Sequence, residues 1–313
     1  MPTKVTLPNE EFLRKEFVEA KVFELLEPQL YFLDFLPKVQ ADAKAVKYKY
    51  ESTSAATDTK KKYPRKHTAG AKFAMVSISD LTVGSAILSK EGFEVRIDED
   101  AQQYPEGVDE IDRAFRRVAY YLAESVNSKI LAAITSGVNT TTNHFNPSVE
   151  WSDPNAQPIN DLIGLAQDMR REGYPYRLTD VYLHTNEYWD LVRYLTFLDV
   201  GNDKQKAVFG IPNISESVIT VPVLGNVKVH ELLSSMETKD ILGFDQRFPC
   251  GTFYYAKNPK YPMTVENELG FHVHSYEDNE THDLVYQFWI DFAVAVKEPY
   301  AAIYNDGSKG KPI

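Results

Sequence analysis

Residues 105–137, PEGVDEIDRAFRRVAYYLAESVNSKILAAITSG, decide how this chain is read. Val108, Ile111, Phe115, Val118, Leu122, Val126, Ile130 and Ile134 recur at steps of three or four. That spacing gives a helix one apolar face, which has to be buried. Pro105 suits the first turn, where its missing N–H costs nothing, and Glu106, Asp109 and Glu110 put negative charge at the positive end of the helix dipole. Lys129 lies towards the other end, and Gly137 can take the left-handed conformation that closes a helix. About 30 residues at 1.5 Å each make a rod of roughly 45 Å, long enough to span a domain. Taken alone the stretch fits a coiled coil or an ordinary core helix, so the flanking sequence has to choose.

Composition narrows the classes first. The chain has 313 residues, 43% of them hydrophobic and 12% aromatic, which is the make-up of a packed protein of two domains or of one with a large insertion. A net charge of −11 opposes any general attraction to phosphate backbones, so a nucleic-acid binder of the usual kind is not expected. The single cysteine, Cys250, rules out an internal disulfide framework and fits a reducing compartment. No apolar run is long enough to cross a bilayer, and MPTKVTLPNEEF has no signal-peptide core, so a soluble, unexported chain is expected.

Towards the N-terminus, Asn9 can cap a helix whose apolar positions include Phe12, Phe17, Val18, Phe23, Leu25, Leu26 and Leu30. This arm cannot bury that face on itself and must dock on the rest of the molecule or on a neighbouring copy. Val46, Tyr48 and Tyr50 alternate with charged residues, as do Phe93, Val95 and Ile97, which predicts two strands. Between them runs ESTSAATDTKKKYPRKHTAGA, poor in apolar residues and carrying Lys60, Lys61, Lys62, Arg65 and Lys66. The simplest geometry is a long two-stranded arm with a basic tip, marginal unless something packs on it. The tip reads as a contact for an acidic neighbour, with nucleic acid as the sharper alternative and a solvated charge run as the plain one.

Beyond the helix, a polar connector leads into a mixed α/β block. Helices are predicted from Ile159 to Met169 and from Glu187 to Leu198, with strands at Asp180–Leu183, Ile219–Val223, Val227–Val229, Ile241–Phe244 and Thr252–Tyr255. From Leu284 to Val296 every even position is apolar, and thirteen residues of alternation exceed the usual strand of about 5–6. A strand that long has the long helix as its obvious partner. Glu266 to Val273 supplies an adjacent strand, and the chain ends in the polar-tailed EPYAAIYNDGSKGKPI.

Chemistry-bearing residues are few. His272, His274 and His282 with Glu277, Asp278 and Glu280 suggest a transition-metal site, but zinc spacings are absent and a solvated turn explains them better. Cys250 in FPCGTF reads as a buried structural thiol. His184 with Glu187 and His230 with Glu231 are acid/base pairs on paper only. No phosphate loop, nucleophile elbow or dinucleotide fingerprint occurs. No enzyme activity, metal or cofactor is expected.

In this order the elements resemble the major capsid proteins of tailed phages and related viruses, the Hong Kong 97-type fold. The strands around Val46–Glu51 and Phe93–Asp98 match that family's extended E-loop, 105–137 its spine helix, 157–262 its axial domain, and Leu284–Val296 with the following KEPYAAI its last peripheral strand. The resemblance implies an α+β fold with an N-terminal arm over 1–40, a β-hairpin E-loop over 41–104, a peripheral domain over 105–156 and 263–313, and an inserted α/β axial domain over 157–262. It implies self-assembly into pentamers and hexamers of an icosahedral shell around double-stranded DNA. Scaffold, portal and decoration proteins would be further partners, and the virion, assembled in host cytoplasm, the location. Lys60, Lys61, Lys62, Arg65, Lys66, Phe12, Phe17 and Phe23 are the candidate inter-subunit contacts. The rivals are an encapsulin-like nanocompartment with an enzyme cargo and, from a different class, a metal-dependent enzyme using the histidine cluster.

Overall fold

A computed structural model describes residues 14–51, 81–103, 107–140, 151–153, 156–171, 176–201, 213–215, 218–221, 226–232, 241–257, 267–278 and 280–305. The chain divides into two compact units. The first takes Met1–Val46, Ala86–Ala133 and Thr252–Ala295, and the second Lys47–Ser85, Ile134–Gly251 and Val296–Ile313.

The first unit is organised on β13 (Leu284–Val296), the thirteen-residue strand that the alternation predicts. Its five-stranded sheet runs β1 (Lys38–Gln40), β11 (Gly251–Tyr255), β13, β12 (Phe271–Glu277), with β4 (Ser89–Ile97) also paired to β13. Antiparallel register sets Phe288 opposite Val273 on one side and opposite Phe93 on the other. After the short helix α2 (Glu99–Gln103), helix α3 (Gly107–Gly137) buries Ile111, Phe115, Val118, Leu122, Val126 and Ile130, the stripe that the sequence marks. Phe115 sits edge-on to Tyr286 at 5.9 Å and to Phe288 at 6.2 Å, so helix and strand are packing partners. Pro105, the expected start, lies outside the described residues.

Helix α1 (Lys15–Leu26) packs on the same sheet face. Opposite residues of a pair share a face, so Phe271, opposite Ile290, stands on the side of Phe288, and Phe23 lies 6.2 Å from it. Lys21 reaches Asp112 at 3.7 Å, and the Asn127 side chain donates to the Gln29 carbonyl at 2.7 Å, which sets α1 alongside α3. Val18, Val22 and Leu26 are buried, so of the two dockings open to the arm its own sheet is the one used.

Three expectations about strands change. Strand β4, expected from its alternation to be the second strand of the arm, pairs with β13, and β2 (Ala45–Glu51) pairs instead with β3 (Leu81–Ile87) in a ladder of their own. Period-two alternation fixes a face but not a partner, and β3 is masked as a strand by Gly84, whose added Cβ would lie 2.8 Å from the Tyr48 ring. Strand β11, placed by the sequence in the inserted block, lies in the five-stranded sheet between β1 and β13. Finally, β13 is buried on both sides: Val285, Trp289, Ala293 and Ala295 are covered as well as Tyr286, Phe288, Ile290, Phe292 and Val296. Trp289 contributes to that cover itself, stacking on His272 at 5.4 Å beneath the Lys90 ammonium, 4.4 Å from its ring centre.

The second unit holds a seven-stranded sheet in the order β5 (Asn139–Thr140), β14 (Ala302–Asn305), β10 (Ile241–Phe244), β6 (Asp180–His184), β9 (Val227–Leu232), β8 (Val218–Val221), β7 (Asn213–Ser215). Strands β6 and β9 run parallel, and β8 returns antiparallel to β9 with Val221 opposite Val227 and Asn226 in the left-handed region at φ 64°. Helix α4 (Pro158–Arg171) buries Ile159, Leu162, Leu165 and Met169, and α5 (Thr185–Gly201) buries Tyr188, Leu191 and Leu195. The stretch around Ala302, read as the start of a polar tail, is strand β14, antiparallel to β10 with Ala302 and Ile303 buried. At Gly243 on β10 a Cβ would stand 2.5 Å from Leu178 Cδ1 and 3.0 Å from Ile303 Cγ2, so any side chain there would make these neighbours shift.

Candidate assembly surfaces

Lys60, Lys61, Lys62, Arg65, Lys66 and Phe12 lie outside the described residues. Phe23 is half-buried against Phe271 of its own chain, whereas Phe17, on the outward side of α1, is 41% exposed. The ladder β2–β3 carries Val83 at 63% exposure and Ile87 at 67%, two apolar side chains four residues apart and hence on one face. Exposed apolar residues scattered singly need no explanation, but a row on a two-stranded ladder marks a surface that something covers.

A second surface lies on the first unit. Tyr120 and Tyr121 project from α3 off the buried stripe, 5.7 Å apart between ring centres, and Phe93 of β4 lies 6.1 Å from Tyr121. All three are more than a third exposed. Glu91 of β4 accepts from Ser125 Oγ at 2.8 Å and pairs with Lys129, so strand and helix are tied beside the rings. Glu94 accepts from Gln287 at 3.0 Å and from Arg96 at 3.1 Å, and these two bonds hold its carboxyl below the usual range. Sequence reasoning passed over this patch because it followed the buried stripe; the adjacent tyrosines off that stripe were the available signal.

The chemistry-bearing residues do not converge. His272 is buried and donates Nε2–H to the Ala256 carbonyl at 3.2 Å, a tautomer assigned from that acceptor. It is therefore no part of a solvated turn, which describes only His282 at φ 59°, 3.6 Å from exposed Glu277. Among the described residues no group of three or more His, Cys, Asp or Glu is placed to hold a metal ion. His230 does not work with Glu231: successive strand residues face opposite ways. Its Nε2 lies 2.9 Å from Asp180 Oδ1 on the neighbouring strand, and Glu231 accepts instead from Trp189 at 3.2 Å. His184 lies 3.3 Å from Glu187. Cys250 is buried, and burial pushes its thiol up to about 12, far from a nucleophile's range.

One buried carboxylate has a structural task. Asp245 follows β10; burial pushes its pKa up, but the Arg247 side chain and the Arg177 and Arg247 backbone N–H groups outweigh this and hold it below its ordinary value. The Arg247 fork donates Nε–H at 2.9 Å and Nη2–H at 2.5 Å, and the Arg177 N–H donates at 2.7 Å.

A five-stranded sheet with a long helix along it, a separate ladder and a seven-stranded mixed sheet are the parts of a Hong Kong 97-like capsid fold, the class of subunit from which shells are built. Residues 82–305 match the family described as phage capsid protein, and the chain belongs to that family. Solved structures agree on the fold. The virus-like particle from Pyrococcus furiosus is similar with a TM-score of 0.56 at 9% identity, over 95% of this chain and 98% of that one. The capsid of an empty GTA particle gives 0.54 at 10% identity, over 88% and 89%. The holo-SrpI encapsulin complex from Synechococcus elongatus PCC 7942 gives 0.53 at 12% identity, over 98% and 92%. No curated protein matches. Family and fold point to a structural role in a capsid, and no helix among the described residues is long and apolar enough to cross a membrane.

Proposed function

We propose that the chain is the major subunit of a phage-type particle, assembling into pentamers and hexamers that close an icosahedral shell around double-stranded DNA. The observation that carries the reading is the span of the family match, which runs from β3 through β14 and so takes in strands of the ladder and of both sheets. The exposed row on β3 and the aromatic patch on α3 and β4 support it, since surfaces of that composition are covered in use. In this reading the arm that the β2–β3 ladder carries lies across an adjacent subunit, while β4 stays in its own sheet, and Lys60, Lys61, Lys62, Arg65 and Lys66 meet acidic groups there. Phe12 and Phe17 serve further inter-subunit contacts; Phe23 is engaged within its own chain. Copies joined head to tail close into rings, and several modest interfaces per subunit give the shell avidity. A subunit of net charge −11 suits a DNA container, because a wall that gripped phosphates would hinder packing and release. Scaffold, portal and decoration proteins complete the partners, the DNA being held without sequence specificity. Assembly belongs to the host cytoplasm and the product to the virion.

An encapsulin-like nanocompartment is the second reading, favoured by the likeness to the holo-SrpI complex. Negative-stain images and content analysis of purified particles test both. Closed shells with nucleic acid inside support the first, shells around an enzyme the second, and a compact monomer stable at high concentration overturns both. Within the first reading, changing Lys60, Lys61 and Lys62 to Glu weakens assembly; unchanged shell yield and salt tolerance would remove the basic tip from the mechanism.

A further inference from the structure

One end of the first unit's sheet is acidic. Glu277 stands opposite Leu284 and Leu284 opposite Ile97, so β12, β13 and β4 stop together there. The turn beyond them is closed by the Asp278 N–H, which donates to the Asp283 carbonyl at 2.9 Å, and it carries Glu277, Asp278, Glu280 and Asp283. Asp98, Glu99 and Asp100 lead from β4 into α2. Gln102 of α2 donates to the Ile97 carbonyl at 2.9 Å and to the His282 carbonyl at 3.3 Å, which ties both acidic stretches into one patch. Among the described residues its cations are Arg96, 3.5 Å from Asp278 but shared with Glu94, and His282, 3.6 Å from Glu277. Carboxylates therefore outnumber cations, and Tyr276, next to Glu277, adds an aromatic ring 37% exposed.

The β2–β3 ladder has the opposite character. A Cβ at Gly84 would meet the Tyr48 ring, so these two residues share one face of the ladder, and Lys47 and Lys49 share the other with Val83 and Ile87. All four of these side chains are exposed. The sequence beyond β2 adds Lys60, Lys61, Lys62, Arg65 and Lys66, of the same sign. We propose that in the assembled particle this face of the ladder from one copy docks on the acidic end of the sheet in the next copy, with Lys47 and Lys49 on its carboxylates and Val83 and Ile87 against Tyr276.

The proposal rests on the reading of the chain as a shell subunit and names the surface that receives the arm. Connectivity gives the contact its direction. The arm joins β4 through Leu88, next to Ser89, whereas the acidic end lies past Ile97, about 27 Å away along the strand. The arm is thus attached at one end of β4 and the receiver sits at the other, which is the form of a head-to-tail contact between copies lying in a single layer. The aromatic patch on α3 and β4 is the rival receiver, and charge opposes it. Arg113 and Arg117 stand a turn apart on one ridge with Tyr121, exposed and of one sign with Lys47 and Lys49.

A charge exchange in the full-length chain tests this. Lys47→Glu with Lys49→Glu, and separately Glu277→Lys with Glu280→Lys, each lower the fraction sedimenting as shells by about tenfold or more, like charges facing each other being strongly unfavourable. The chain carrying all four changes recovers to within about twofold of wild type. Loss in both pairs without recovery overturns the proposal and points to a different cationic partner for the acidic end; full assembly of either pair overturns it too. A second measurement does not depend on charge. Copies with Val83→Cys are mixed with copies with Tyr276→Cys before assembly and treated with a short bismaleimide, the buried Cys250 staying silent. Linked pairs of copies in intact shells are expected. Their absence refutes the docking, and so does a link that forms only within single chains carrying both cysteines. A wild-type chain that forms no shell is a separate result: it is the failure of the functional reading, and it takes this proposal with it.

Discussion

Phe115→Ala removes the side chain on which the packing of α3 against β13 turns. The ring is 2% exposed and meets Tyr286 and Phe288 edge-on. Truncating a buried Phe to Ala costs about 3–5 kcal/mol, because apolar transfer is lost and a cavity remains. Phe115→Leu keeps most of the apolar volume and loses two edge-to-face ring pairs, each worth about 0.5–1.5 kcal/mol, so its cost is roughly 1–3 kcal/mol. The amides of β13 report this directly, since core strands exchange through the larger openings of their unit. With about 1.4 kcal/mol per tenfold, the Ala variant should exchange at β13 roughly a hundredfold to several thousandfold faster, and the Leu variant roughly five- to hundredfold faster. The assay is hydrogen–deuterium exchange on unassembled subunits, following Leu284–Val296, with Asp180–His184 of the second unit as internal reference. If β13 in Phe115→Ala exchanges within about fivefold of wild type, where a 1 kcal/mol effect would lie, then α3 does not hold the strand and the packing argument fails.

Three further outcomes follow from particular contacts. Gly92→Ala places a Cβ 2.5 Å from the Phe288 carbonyl and 2.8 Å from Trp289 Cβ, so β4 must shift along or away from β13. Faster exchange confined at first to Ser89–Ile97 checks it, and an unperturbed β4 would mean the ladder has slack that its geometry denies. Asp245 has its folded pKa below its unfolded one, so its contribution is present above the unfolded value near about 4 and is lost as pH falls through the folded one. Urea midpoints of the second unit should therefore drop in acid more steeply for wild type than for Asp245→Asn, which at neutral pH starts lower by about 1.5–3 kcal/mol, the worth of a bond to a charged group. Cys250 should resist a thiol reagent at neutral pH until urea unfolds the chain, as a buried thiol raised to about 12 requires; labelling of the folded subunit within minutes would contradict its placement.

What could be read in the sequence was what repeats. The stripe of α3 and the alternation of β13 each persist over enough residues for the period to name the element and its buried face. What could not be read was who pairs with whom. The Phe93, Val95 and Ile97 alternation is the same whether β4 joins the arm or β13, and only long-range register decides. AAIY is too short to show a period, so β14 looked like tail. Asp180 and His230 stand fifty residues apart, and no local pattern joins them, whereas Glu231 was adjacent and misleading. At the surface, the Lys-rich tip is legible because its like charges cluster in sequence. The Arg113, Arg117 and Tyr121 ridge escaped because its members cluster only once wound on a helix.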